Sequence, residues 1–179
     1  MSTPPAVVRT ARLTLRPFTA DDADALFEVF RRPEVARWSG TGRPMTDRQE
    51  AVDRIARQPE RAGDHPATGV FAVCVDPSDV PVGMVMLVPI PPSAGSSRRD
   101  VEIGWHLHPD AWGHGYATEA ATAMVERAWA SGIDELVAVT DPDNAASQAV
   151  CRRLGMTDLG LRDDWYDLTL RAFRLARSG

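Results

Sequence analysis

The sequence contains no lysine; all 20 of its basic residues are arginine. That removes lysine from the catalytic candidates and excludes a P-loop, which needs Gly-Lys-Ser/Thr. Cysteine is also scarce. Cys74 and Cys151 form no C-x-x-C pair, and two cysteines do not build a disulfide framework. A reducing, cytoplasmic setting is therefore expected. No run approaches the roughly 18 apolar residues of a membrane span, and MSTPPAVVRT lacks the basic and apolar regions of a signal peptide. No membrane partner is expected. There are four histidines. His106 and His108 are close in sequence, but no H-E-x-x-H pattern accompanies them, so no metal site is expected. Ser147, His114 and Asp141 lack the G-x-S-x-G elbow of a serine hydrolase. The net charge of -5 gives no general basic footprint, which argues against a nucleic-acid partner. It mildly favours cationic substrates such as amines.

What is present suits one globular domain over 1–179. The 179 residues are 44% hydrophobic and 25% charged, enough for a real core. Thr10 to Pro17 alternates, with Leu13 and Leu15 opposite Arg12, Thr14 and Arg16, and reads as a strand. Thr19 with Asp22 reads as a helix start, followed by Ala23, Leu26, Phe27 and Phe30 at helical spacing. Thr46 with Gln49 repeats the pattern ahead of Val52, Ile55 and Ala56. The Gly-rich connection Trp38 to Pro44 is long enough to line a substrate site. Val70 to Val75 and Val80 to Val88 read as a hairpin. Asp100 to Leu107 reads as a strand with Val101, Ile103, Trp105 and Leu107 on one face. A helix follows from Ala117 to Trp129 and ends at Gly132. A strand spans Leu136 to Thr140, and Asn144 opens a helix that Gly155 stops. Leu159 to Trp165 and Leu168 to Leu175 read as a closing hairpin.

Between the strand ending at Leu107 and the helix after it lies WGHGYATEA, Trp112 to Ala120. Gly113 and Gly115 allow a tight turn and close approach of the backbone to a ligand. Amides at a helix start have no intrahelical acceptor and sit at the positive end of the helix dipole. A pyrophosphate fits such a place. Alone, the turn is also compatible with a plain strand-to-helix connection. A dinucleotide fingerprint needs glycine where Thr118 stands, and an acid at the end of the next strand. Asp134 and Glu135 precede that strand instead.

Four passages together resemble the GNAT superfamily of N-acetyltransferases, and within it the RimJ/RimL-like branch. They are TARLTLRPFTADDADALFEVF, VEIGWHLHPDAWGHGYATEA, DPDNAASQAVCRRLGM and the closing hairpin. The family pattern Gln/Arg-x-x-Gly-x-Gly/Ala falls on Trp112, Gly113, His114, Gly115, Tyr116 and Ala117, with tryptophan in the first position. The resemblance implies an α/β fold: a mixed, mostly antiparallel sheet splayed in the middle, with helices on both faces. It implies acetyl-CoA as cosubstrate, no metal, and direct attack by an amine in a ternary complex. Amides from Gly113 to Thr118 would hold the pyrophosphate. Trp105, His106 and Leu107 would pair with the pantetheine arm, and the Leu107 amide would polarise the thioester carbonyl. Asn144 would bond the pantetheine amide, and Ser147 would serve the leaving thiolate. Both also suit a plain helix cap.

A neutral amine is scarce at pH 7, so a base is needed. Glu102 is the candidate; the alternative is a strand carboxylate paired with an arginine. Glu119, an acid in a first helical turn, reads as structural. Trp38, Trp165 and Tyr166 are candidates for the acceptor pocket. Protein N-termini and small-molecule amines both remain open as acceptors, as does a non-catalytic CoA-binding sensor. Dimers are common in the family, so a homodimer is a further expectation.

Overall fold

Alternation builds most of the sheet. In the computed structural model, which describes residues 7–178, Leu13 and Leu15 of β2 (Leu13–Pro17) are fully buried on one face. β1 (Val8–Arg9) folds back on β2, so of the strand read over Thr10 to Pro17 the first three residues are the turn of a small hairpin and Leu13–Pro17 its second strand. β3 (Gly69–Val75), β4 (Pro81–Pro89) and β5 (Val101–Leu107) continue the antiparallel meander. β6 (Glu135–Thr140), β7 (Thr157–Arg162) and β8 (Leu170–Ala176) complete one eight-stranded sheet ordered β1-β2-β3-β4-β5-β6-β8-β7. Only β5 and β6 run parallel. This is the mixed, mostly antiparallel α/β architecture expected. The expected domain also takes in residues 1–6 and 179, which lie outside the described residues.

The parallel junction is incomplete. β4 and β5 pair from Gly83↔Leu107 to Pro89↔Val101, whereas β5 and β6 pair only at Glu102↔Val137. Past that point the strands splay apart toward Leu107 and Thr140.

Two layers cover the sheet. On one face, α5 (Tyr116–Ala130) lays Ala120, Ala121, Met124 and Ala128 against Leu15, Phe71, Leu87 and Ile103. α6 (Ala145–Arg153) joins the same core through Cys151. The alanines bring α5 close to the strands, and each large apolar side chain buried here contributes about 1.5–3 kcal/mol. On the other face, α1 (Ala23–Phe30), α2 (Pro33–Ala36) and α3 (Arg48–Ala56) bury Leu26, Phe30, Val35 and Ala51 against Val70, Met84 and Val88. A short α4 (Gln58–Ala62) packs on β3 and β4. Among the described residues no helix covers that face over β6 and β8; Trp165 and Ile90 cover Val137 and Ala172.

Two local readings are corrected. The second capping box is Asp47 with Glu50, one residue beyond Thr46 with Gln49. Glu50 reaches back to the amides of Thr46 and Asp47, at 2.9 and 3.3 Å. β7 stops at Arg162, and Trp165 leaves the strand because its indole N–H donates to Asp100, 2.9 Å away.

Gly83 is where β4 meets the end of β5. A Cβ there would lie 2.3 Å from the His106 carbonyl oxygen and 2.7 Å from the Leu107 Cα, so backbone must move. At Gly104 a Cβ would meet only the flexible end of Met86, at 2.6 Å. Gly83→Ala is expected to cost about 1–3 kcal/mol and Gly104→Ala less. Urea midpoints check this; equal losses would contradict the contact.

Candidate active site

The turn between β5 and α5 carries two glycines in left-handed conformations, Gly113 at φ +78° and Gly115 at φ +80°. A Cβ would meet nothing at Gly113 and only Arg12 Nη2, at an ordinary 3.6 Å, at Gly115, so backbone conformation, not crowding, demands glycine. Among the described residues, no acceptor meets the amides of Gly113, His114, Gly115, Tyr116, Ala117 or Thr118. The first amide of this stretch with an acceptor is that of Glu119, bonded to Gly115 at 3.0 Å.

Arg12 fixes the turn. Its Nη1 donates to the His114 carbonyl at 2.9 Å, and its Nη2 pairs with Glu119 Oε2 at 2.6 Å. Its guanidinium lies 4.8 Å from the Tyr116 ring centroid, and His114 stacks on Tyr116 at 5.3 Å. Glu119 also accepts from the Thr10 hydroxyl and the Arg12 amide. Partial burial pushes the Glu119 carboxyl up, but the Thr10 and Arg12 bonds prevail and hold it below the usual carboxylate range. Glu119 is a structural clamp. Trp112, half exposed, donates its indole N–H to the Leu107 carbonyl at 2.9 Å and ties the turn to the end of β5.

The open edge of β5 continues this row of donors. His108 donates to Val82 of β4 at 2.8 Å. Peptide groups alternate sides along a strand. His106 therefore also faces β4, while the N–H groups of Trp105 and Leu107 face the splay. Across the gap, β6 ends at Thr140, whose buried hydroxyl has no partner among the described residues. Asn144 then caps α6, accepting from the Ser147 amide at 3.1 Å. Ser147 sits partly exposed in the first turn.

Glu102 lies on the other face of the sheet, beside the last paired position of β5 and β6, and is 4% exposed. The Tyr166 hydroxyl donates to its Oε2, and Arg61 Nη2 lies 3.4 Å away. Arg61 also donates to the Tyr166 hydroxyl oxygen at 2.5 Å. Burial pushes the Glu102 carboxyl above its usual range, against the opposing pull of Tyr166 and Arg61. Tyr166 is itself pushed up, by burial and by Glu102, and keeps its proton. Sequence reasoning found Glu102 and Tyr166 separately; the fold brings them together. It missed Arg61, which sits on a five-residue helix with no apolar periodicity.

The remaining candidates fall elsewhere. Trp165 is 2% exposed and packs on Val137 and Ala172. Trp38, partly buried, stacks under Arg37 at 4.2 Å. Ser147 and Glu102 do not meet: α6 belongs to the α5 face, Glu102 to the α1–α4 face. Ala117 and Thr118 lie in the first turn of α5 and extend its row of free amides. Cys151 is fully buried, and its thiol is pushed up to about 12 by that burial, so it stays protonated. Among the described residues, no cluster of His, Cys, Asp or Glu could hold a metal ion, and no helix is long and apolar enough to cross a membrane.

Free amides on a left-handed turn, an unpaired strand edge and an orphaned Thr140 hydroxyl form one continuous polar lining. A long ligand with a diphosphate and amide groups fits it. Residues 12–157 match the acetyltransferase (GNAT) domain family. The chain is 31% identical over 164 residues to an FsC-acetyl coenzyme A-N(2)-transacetylase of Aspergillus fumigatus, covering 89% of this chain and 68% of that one. An acetyltransferase structure from Agrobacterium tumefaciens superposes with a TM-score of 0.77 at 25% identity, covering 99% and 98% of the two chains. A Mycobacterium smegmatis RimJ structure in complex with CoA-disulfide shares the fold at 19% identity, with a TM-score of 0.74 and coverage of 97% and 88%.

His106 supplies a test of the buried face. Its imidazole lies 5.3 Å from the Phe30 ring, and burial, aided by Arg54, lowers its pKa to about 3. An unfolded histidine titrates near ~6.5. The stability that neutral His106 contributes is therefore present above that value and is lost as pH falls from ~6.5 toward 3. Denaturation midpoints at pH 7, 6 and 5 are expected to fall less steeply in His106→Gln than in the wild type. Parallel slopes would contradict the burial.

Proposed function

The chain belongs to the GNAT family of acetyltransferases, and on that premise we propose that it transfers an acetyl group from acetyl-CoA to a primary amine within one ternary complex. The observation that carries this reading is the gap between β5 and β6. It has donors on the side toward α5 and stands beside a buried carboxylate on the side toward α1–α4. The two substrates enter from opposite faces.

Acetyl-CoA, when bound, supplies the activated acyl group; the chain does the rest. Amides from Gly113 to Thr118 hold the pyrophosphate with the help of the α5 dipole. The N–H groups of Trp105 and Leu107 add to the pantetheine arm as a strand edge would. The Leu107 N–H polarises the acyl oxygen, an interaction worth about 3 kcal/mol in comparable sites. The free amide NH2 of Asn144 and the hydroxyls of Thr140 and Ser147 serve the far side, with Ser147 hydrogen-bonding the leaving sulfur.

Glu102 takes the ammonium proton. At about 3.3 Å per residue it lies ~10 Å along β5 from Trp105 and ~17 Å from Leu107, so the proton passes through water. Its raised pKa makes it a better base than an exposed glutamate, and Tyr166 and Arg61 fix its position. Holding both reactants in line supplies much of the remaining acceleration.

The passages around Val101 to Ala120 and Asp141 to Met156 support placing the chain in the RimJ/RimL-like branch. The relative named for N(2)-transacetylation supports nitrogen as the acceptor atom. A protein N-terminal amine and a small-molecule amine both fit this chemistry.

Two experiments test the reading. Gly115→Val forces a β-branched residue to φ +80°, so calorimetry should show CoA binding weakened at least ~10-fold; binding at wild-type strength would refute the cofactor placement. Glu102→Gln should lower kcat by about 100-fold in a thiol-release assay with a panel of amines. Because the Glu102 pKa is raised, the wild-type rate should fall with acid above the ordinary glutamate value of ~4.3, and the variant should lose that limb. An identical acid limb in both would remove Glu102 from the role. Coenzyme binding with no amine turned over would favour a sensor.

A further inference from the structure

Arg54 is a cation without an anion. Its guanidinium lies 3.9 Å from the Phe30 ring centroid, and its Nη2 lies 3.8 Å from the Met84 sulfur. Among the described residues no carboxylate pairs with it, whereas Arg61, seven residues on, has Glu102 and the Tyr166 hydroxyl. Burial, with Arg61 adding, lowers the Arg54 pKa to about 10, which leaves it charged at neutral pH. Its neighbour His106 is held neutral and offers no counter-charge.

A second donor lies on the same line. Arg57 joins α3 to α4 in a right-handed helical conformation, φ -88° and ψ -5°. Residues 54, 58 and 61 therefore follow one another on one face. The buried Nε2 of Gln58 has no partner among the described residues. Below this line runs the α1–α4 face of β5: Glu102, Gly104, His106. The register sets Met84 beside His106, Met86 beside Gly104 and Val88 beside Glu102. Gly104, at the middle of the row, is partly exposed, and the flexible end of Met86 reaches over it. At one end stands Glu102 with Tyr166 and Arg61; at the other stands Arg54 above His106. Arg54 and Arg61 are about 10 Å apart along the helix, and Glu102 and His106 about 13 Å along the strand.

We propose that the acceptor amine carries an anionic group, which Arg54 and Gln58 receive on the α1–α4 face of β5 while Glu102 takes the ammonium proton through water. This rests on the acetyl-transfer reading and narrows its substrate class to amines with a carboxylate or phosphate several bonds away. A partly desolvated guanidinium gains most from a charged acceptor, because such hydrogen bonds are the strong ones. A neutral amine of equal length leaves Arg54 and Gln58 unpaired.

Matched pairs test it. Thiol release is measured with β-alanine, 4-aminobutanoate and 6-aminohexanoate against their carboxamides, and with O-phosphoethanolamine against ethanolamine. The anionic member of at least one pair should have a kcat/KM at least 10-fold higher, and the preferred pair names the anion. In Arg54→Gln that ratio should fall toward one through a higher KM, and Arg54→Lys should keep part of it. Arg54→Met, which retains bulk over Phe30, and thermal melts of each variant separate this from misfolding. A wild type indifferent to charge, or a ratio that survives in both Arg54→Gln and Arg54→Met, would overturn the proposal. If no amine is turned over, the acetyl-transfer reading fails separately, and calorimetry with 6-acetamidohexanoate and its carboxamide still reads the site. Binding of the acid to wild type but not to Arg54→Gln supports it; equal binding, or none to wild type, overturns it.

Discussion

β5 is laddered along one edge and bare along most of the other. β4 satisfies its inward peptide groups from Val101 to Leu107, but β6 meets it only at Glu102. The N–H groups of Trp105 and Leu107 are left facing a gap, and unpaired backbone donors at such a place call for a partner. The glycine turn extends the same row of donors around the corner into α5. The proposed cosubstrate site is thus a missing stretch of β-sheet followed by a missing turn of helix.

The same splay explains why the chemistry falls where it does. On the α1–α4 face, helices cover β3 and β4, while Trp165 and its loop cover β6 and β8. Glu102 sits at the seam between these two covers. It is buried enough to have a raised pKa, yet stands next to the point where the strands part. The loop carrying Tyr166 is strapped down to stay there. Tyr166 donates its amide to Pro91 at 3.1 Å, and Asp167 bonds Ser93 and Ala94 at 3.0 and 2.8 Å. Tyr166 and Asp167 both hold left-handed backbones, φ 60° and 55°, which costs about 1–2 kcal/mol per residue. That strain is offset by these bonds, and the loop in turn sets the tyrosine against Glu102.

Local chemistry made the cosubstrate side legible in the sequence. Gly113 and Gly115 announce their turn, Asn144 announces its helix, and parity along Asp100 to Leu107 sets Glu102 opposite Ile103. The fold class follows from the order of these elements and their family resemblance. The acceptor side was far less legible. Arg54 and Arg61 become meaningful only when α3 and α4 fold over β5, some 40 to 50 residues away in sequence. α4 is too short to show periodicity, and arginine on a helix ordinarily reads as a solvated face. Trp165 looked like a strand residue because aromatics favour strands; its bond to Asp100, 65 residues away, has no local signature.

The most direct test of the central claim is an amide NMR titration of the intact chain with coenzyme A. The largest shifts should fall on Trp105 and Leu107 at the bare edge of β5 and on Gly113 through Thr118 at the turn, while the amide of His106, turned toward β4, moves little. Saturating coenzyme that leaves the Trp105, Leu107 and glycine-turn amides in place and shifts another surface would contradict it.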